Sequence, residues 1–86
     1  MRLKEGRDHQ VYEVLDLHLE PELERRMMAL GLTAGTRIEI VNNQKKGAVI
    51  VKFRGARFAF GRRIADQIQV KEAAGWGNTA GGSGQA

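Results

Sequence analysis

The chain has 86 residues, enough for one small domain and no second core. Its 14 lysines and arginines against 10 aspartates and glutamates leave a net charge of +4, and with no cysteine it excludes disulfides, thiolate metal sites and cysteine nucleophiles. A core of this size supplies only roughly 3–5 kcal/mol without staples, too little to support a roomy or strained catalytic cavity.

The opening stretch, MRLKEGRDHQ, lacks the apolar run of a signal peptide. Val11 to Leu17 then reads as a strand, β-branched and aromatic with partial alternation. Pro21 opens a helix of about ten residues, 21–30, because a proline at the first helical position loses no helical hydrogen bond. Glu22 and Glu24 fall in its first turn, where carboxylates favour the positive end of the helix dipole. Leu23, Met27 and Leu30, spaced i, i+4, i+7, are expected on one buried face. Gly31 ends the helix by supplying the left-handed conformation of a C-cap, and Leu32 packs back on it.

A turn at Gly35-Thr36 leads into a strand over 36–42, with Ile38 and Ile40 on one face. The polar loop Asn42-Asn43-Gln44-Lys45-Lys46-Gly47 precedes a strand over 48–53, with Val49, Val51 and Phe53 pointing one way. Arg54-Gly55-Ala56 is short enough for a hairpin turn into 57–60, where Phe58 and Phe60 share a face. Residues 61–66 can form one helical turn, and 67–70 closes as a last strand. Five short strands and one helix point to a mostly β, small curled barrel with the helix capping one opening.

Residues 73–86, AAGWGNTAGGSGQA, carry no charge, five of the chain's 11 glycines and no apolar periodicity. They read as a flexible tail holding the only tryptophan, Trp76, behind a domain at 1–72. The domain's charge is uneven: residues 1–24 hold seven acids and three bases, and residues 25–72 hold three acids and eleven bases. The longest apolar runs, Met27 to Leu30 and Ala48 to Val51, fall far short of the ~20 residues that span a bilayer. A cytoplasmic protein is expected, reaching a membrane only through a partner.

Arg25-Arg26-Met27-Met28-Ala29-Leu30-Gly31-Leu32-Thr33-Ala34-Gly35-Thr36-Arg37-Ile38-Glu39-Ile40 resembles the helix, LGL-x-x-GT turn and strand signature of the FeoA family. The resemblance extends to Leu3-Lys4-Glu5-Gly6, to Val11-Tyr12-Glu13-Val14, and to Phe53 through Gly61 followed by Ala65 and Ile68-Gln69-Val70. Met27 stands where the family pattern often has leucine, a volume-conserving change. The tail has no counterpart. The resemblance implies an SH3-like barrel and a small cytosolic component of bacterial ferrous iron uptake. It further implies a partner, the cytoplasmic GTP-binding part of the FeoB membrane transporter, although the same barrel is also appended to metal-dependent repressors.

His9, His18, Asp8, Asp16, Glu13, Glu20 and Glu22 are the available iron ligands, with His18, Glu20 and Glu22 close together in sequence. They include no His pair at helical spacing and no two-His-one-carboxylate grouping, so a solvated acidic edge is expected rather than a metal or Fe(II)-sensing site. No catalytic residue is expected: the only serine, Ser83, lies in the tail, and the glycine clusters lack the strand, helix and lysine of a phosphate loop. No cofactor is expected either. Residues 52–63 pack five bases and three phenylalanines into twelve positions, which raises an SH3-like nucleic-acid binder as the rival. Phe53, Phe58 and Phe60 are needed to fill so small a barrel, which would leave Arg54, Arg57, Arg62 and Arg63 as a solvated basic face suited to an acidic protein surface. Met28 points away from the helix's core face, and with Arg25 and Leu32 it forms the expected partner patch, assisted by Arg54 and Arg57.

Overall fold

The computed structural model describes residues 1–73. Its five strands are β1 (Val11–Leu17), β2 (Arg37–Asn43), β3 (Val49–Phe53), β4 (Ala56–Phe60) and β5 (Ile68–Glu72). They form one antiparallel sheet in the order β4-β3-β2-β1-β5. Helix α1 (Pro21–Ala29) lies between β1 and β2, and the single-turn helix α2 (Arg62–Ala65) joins β4 to β5. A short 3-10 turn at Leu3–Glu5 precedes β1. From residue 74 on, Trp76 and nearly all of the expected tail lie outside the described residues.

The sheet coils because two of its strands carry an extra residue. The pairing of β1 with β5 slips between Val14 and Asp16, leaving Leu15 as a bulge, and that of β2 with β3 slips between Ile40 and Asn42, leaving Val41. Between them β1 changes partners: Val11–Glu13 pair with β2, while Tyr12–Leu17 pair with β5. The concave side is filled by alternate residues of every strand, among them Tyr12, Val14, Ile38, Val51, Phe53 and Val70, all 1% exposed or less. This is the small mostly β barrel that the pattern of short strands predicts.

Strand β1 falls where expected, and the limits of the other four shift by one or two residues. The β3–β4 hairpin turns at Arg54-Gly55, both with positive φ (54° and 78°), the paired left-handed geometry that matches strand twist. Helix α1 begins at Pro21 as expected and buries Met27, with Leu23 half-buried against the core. It stops at Ala29, one residue short. Leu30, expected on the buried face, is 45% exposed, since as the C-cap it is already leaving the helix.

The two edges of the sheet differ. Along β5, Val70 N donates to Met1 O at 2.7 Å, the Met1 amine donates to Val70 O at 3.0 Å, and Arg2 bridges to Gln69. The N-terminal residues therefore seal that edge. At β4 the last paired neighbour is β3, and no other backbone hydrogen bond reaches Ala56–Phe60 among the described residues.

Candidate partner-binding site

The end of α1 is built by one glycine. Gly31, at φ +98°, lets its own N–H donate to Met28 O and the Leu32 N–H donate to Met27 O, both at 2.9 Å. These two bonds satisfy carbonyls that the end of a helix leaves open. The reversal carries Leu32 into the core beside Met27, where its side chain is fully buried. Leu32 therefore cannot serve as the surface contact expected of it: the same packing that caps the helix removes it from the surface. Leu30 takes its place outside. Together with Met28, 52% exposed, it leaves two large apolar side chains at the helix end, and Arg25 stands exposed one turn back from Met28.

Arg54 reaches this end from the β3–β4 turn. A Cβ placed on Gly31 would stand 2.8 Å from the Arg54 Nε and closer still to its Cδ, so the arginine stem crosses the bare glycine backbone. A cation at a helix C-terminus meets the negative end of its dipole. A cleft of about 480 Å³, lined by Glu39, Lys52, Phe53, Arg54 and Gly55, opens beside the turn. On the convex face Glu39, Lys52 and Arg57 stand opposite one another on β2, β3 and β4. Among the described residues, ion pairs within 4.0 Å join Arg2 and Lys4 to Asp66 and His18 to Asp16, and none involves Arg25, Lys52, Arg54 or Arg57. The fold thus brings Arg54 to the Gly31 end of α1, where Met28 and Leu30 are exposed, and sets Arg57 opposite Lys52 on the convex face.

The aromatic rings of the basic segment face inward. Phe53 and Phe60 are buried, Phe58 is half-buried, and the three stack in series with centroid separations of 4.5 and 6.3 Å. A base-stacking platform needs exposed rings.

Arg62 departs from the solvated basic face assigned to it. Its guanidinium donates to Asn43 Oδ1 at 3.0 Å, to Lys4 O at 3.0 Å, to Gly47 O at 3.3 Å and to Gln44 O. Asn43 in turn donates from Nδ2 to Lys4 O and Gly6 O, and from its backbone N to Asp8 Oδ1. This clasp ties the N-terminal turn, the β2–β3 loop and α2 together. No motif marks it in the sequence, because three of Arg62's acceptors are backbone carbonyls that any residue could supply. Asp66 completes the same side: Lys4 Nζ at 3.0 Å, with Arg2 at 3.1 Å, holds its carboxyl below the ordinary aspartate range.

The iron-ligand candidates do not converge. His18 Nε2 lies 3.4 Å from Asp16 Oδ2, both well exposed, and His9, at φ 69°, uses its backbone N–H on Ile40 O at 2.6 Å. Among the described residues no three His, Asp or Glu side chains come together at metal-holding distances. No helix among them is long and apolar enough to cross a membrane.

Residues 1–72 match the FeoA domain. The chain belongs to the FeoA family. The match takes in every strand and both helices described above. The "Putative Fe(2+) transport protein A" of Methanocaldococcus jannaschii is 33% identical over 49 residues, 57% of this chain, and the aligned stretch spans 58% of that relative's length. Among solved structures, the FeoA protein of Chlorobium tepidum superposes with a TM-score of 0.76 at 27% identity, covering 91% of this chain and 75% of that one. A crystal structure of an iron uptake regulatory protein, FeoA, gives 0.77 at 23% identity, covering 85% and 97%. A manganese-dependent transcriptional repressor shares the fold at 0.76 and 20% identity, but only 41% of its chain is covered. The FeoA domain here is thus an SH3-like barrel, as the resemblance of its helix–turn–strand block implies.

Proposed function

We propose that this FeoA domain is a non-enzymatic accessory protein of ferrous iron uptake. It docks on the cytoplasmic GTP-binding part of a FeoB-type membrane transporter and biases that partner between states by binding one of them better. The observation that carries this reading is the side formed by Met28, Leu30, Arg25 and Arg54. There two exposed apolar side chains at a capped helix end are flanked by arginines with no carboxylate partner among the described residues. Apolar anchors ringed by unpaired charge are what a protein surface of opposite sign engages. The domain is residues 1–72, and residues 73–86 are a Gly/Ala-rich tail behind it.

Family membership and the transport name of the Methanocaldococcus jannaschii relative support the iron-uptake context. The test is capture of the transporter's purified cytoplasmic GTP-binding domain by this protein. Arg25→Glu with Met28→Asp, both at exposed positions, is expected to keep the fold and weaken capture by about tenfold or more, the loss of one good interface anchor. Unchanged capture by that variant overturns the assignment of the surface. Absence of capture by the unmodified protein in every nucleotide state overturns the function.

A further inference from the structure

The free edge of β4 has features suited to receiving another strand. Five residues, Ala56–Phe60, present backbone donors and acceptors with no partner beyond β3 among the described residues, whereas the opposite edge of the sheet is closed by Met1 and Arg2. An open edge attracts any extended chain, and proteins restrict it with charge. Here the charge is Arg57, whose outward side chain stands directly opposite Lys52, which stands opposite Glu39. Like charges directly opposed across a sheet are unfavourable. A strand laid about 4.8 Å beyond β4 could set an acid beside Arg57 and continue the row. On the concave side, half-buried Phe58 is the one ring of the stacked three that an added strand could still cover.

We propose that β4 takes up an extended segment of a partner as a sixth strand, acidic at its outward positions and apolar at its inward ones. This deepens the docking reading on which it rests, giving the Arg54–Arg57 side a binding mode. A second copy of the chain is the poorer occupant, because pairing β4 with β4 brings two sets of Lys52, Arg54 and Arg57 onto one ribbon.

The experiment uses the protein alone with the synthetic heptapeptide Gly-Glu-Val-Glu-Val-Glu-Gly, followed by amide hydrogen exchange in NMR spectra. At saturating peptide, the outward amides among Ala56–Phe60 are expected to exchange about tenfold more slowly or better, while those of β1 and β5 do not change. Arg54→Glu with Arg57→Glu is expected to weaken binding by about tenfold or more, while β1–β3 keep the protection that reports an intact fold. The peptide with lysine in place of glutamate is expected not to bind. Protection away from β4, equal binding of the lysine peptide, or no protection at all overturns the proposal. Protection of β4 that rises with protein concentration in the absence of peptide overturns it in favour of a dimer. Because no transporter is present, failure here leaves capture of the GTP-binding domain standing, and failure of that capture leaves the strand proposal to be judged on the peptide.

Discussion

Arg62 and Arg54 sit eight residues apart in the same basic stretch and do opposite things. Arg62 is half-buried and commits its guanidinium to Asn43 and three backbone carbonyls, locking the N-terminal turn to α2. Arg54 is exposed, lays its stem over Gly31, and among the described residues has no carboxylate within ion-pair distance. The edges of the sheet repeat the contrast, β5 sealed by the chain's own start and β4 open. What distinguishes the two sides is the supply of acceptors rather than the charge. Where loops converge and turn carbonyls inward, an arginine becomes structure; beside a hairpin tip and a helix end, it stays available.

Substitutions on the two sides should separate stability from binding. The largest effect on folding belongs to Leu32→Ala, which removes a fully buried side chain and should cost about 2–5 kcal/mol, against near-neutral Leu30→Ala two residues away; urea unfolding of both variants measures the gap. Arg62→Ala comes next. It removes all four hydrogen bonds of the clasp's guanidinium and leaves Gly47 O and Asn43 Oδ1 short of a donor, and about 2 kcal/mol, roughly 8–16 °C in Tm for a domain of this size, is the expected loss in a thermal melt. Arg25→Glu or Arg57→Glu should shift the same melt by less than about 0.5 kcal/mol, so that a large loss would mark either as structural. The smallest effect is that of Asp66→Asn, and it depends on pH. Because Lys4 and Arg2 depress the folded carboxyl's pKa, the stability Asp66 contributes is present above about pH 4 and disappears as pH falls through the lowered value. Melts of the variant and the parent protein should therefore differ at neutral pH and converge in acid.

Much of the fold is legible where local chemistry and packing agree. Val11–Leu17 is found as read, since alternation and β-branching coincide there, and Pro21 and Gly31 bracket α1 because each has a backbone geometry few residues share. The failures are tertiary. Helical spacing assigns Leu30 to the core, but the Gly31 reversal delivers Leu32 to that space and turns Leu30 out, and periodicity cannot see past the end of its own helix. Helical geometry does give the exposure of Met28, beside exposed Arg25, while Leu32, expected at the surface, is buried. The Arg62 clasp depends on backbone carbonyls brought together from separate segments, which leave no trace in residue identity. Arg54's approach to the helix end follows from a hairpin register that becomes visible only once β3 and β4 are paired.

The pairing of β1 with β5 also bears on how the chain is made. Strands β2, β3 and β4 are joined by short connections and can assemble as they emerge, with the start of β1 joining β2, but the β5-facing side of β1 and the Met1 segment need a partner that comes last, Val70 lying 69 residues from Met1. Contacts of such long sequence separation form late, because loop closure must precede them. During synthesis the acidic first part of the protein therefore stays incompletely paired until β5 clears the ribosome. Ending translation before Val70 would strand both ends of the chain at once, turning a nearly finished domain into an exposed sheet for proteases and chaperones.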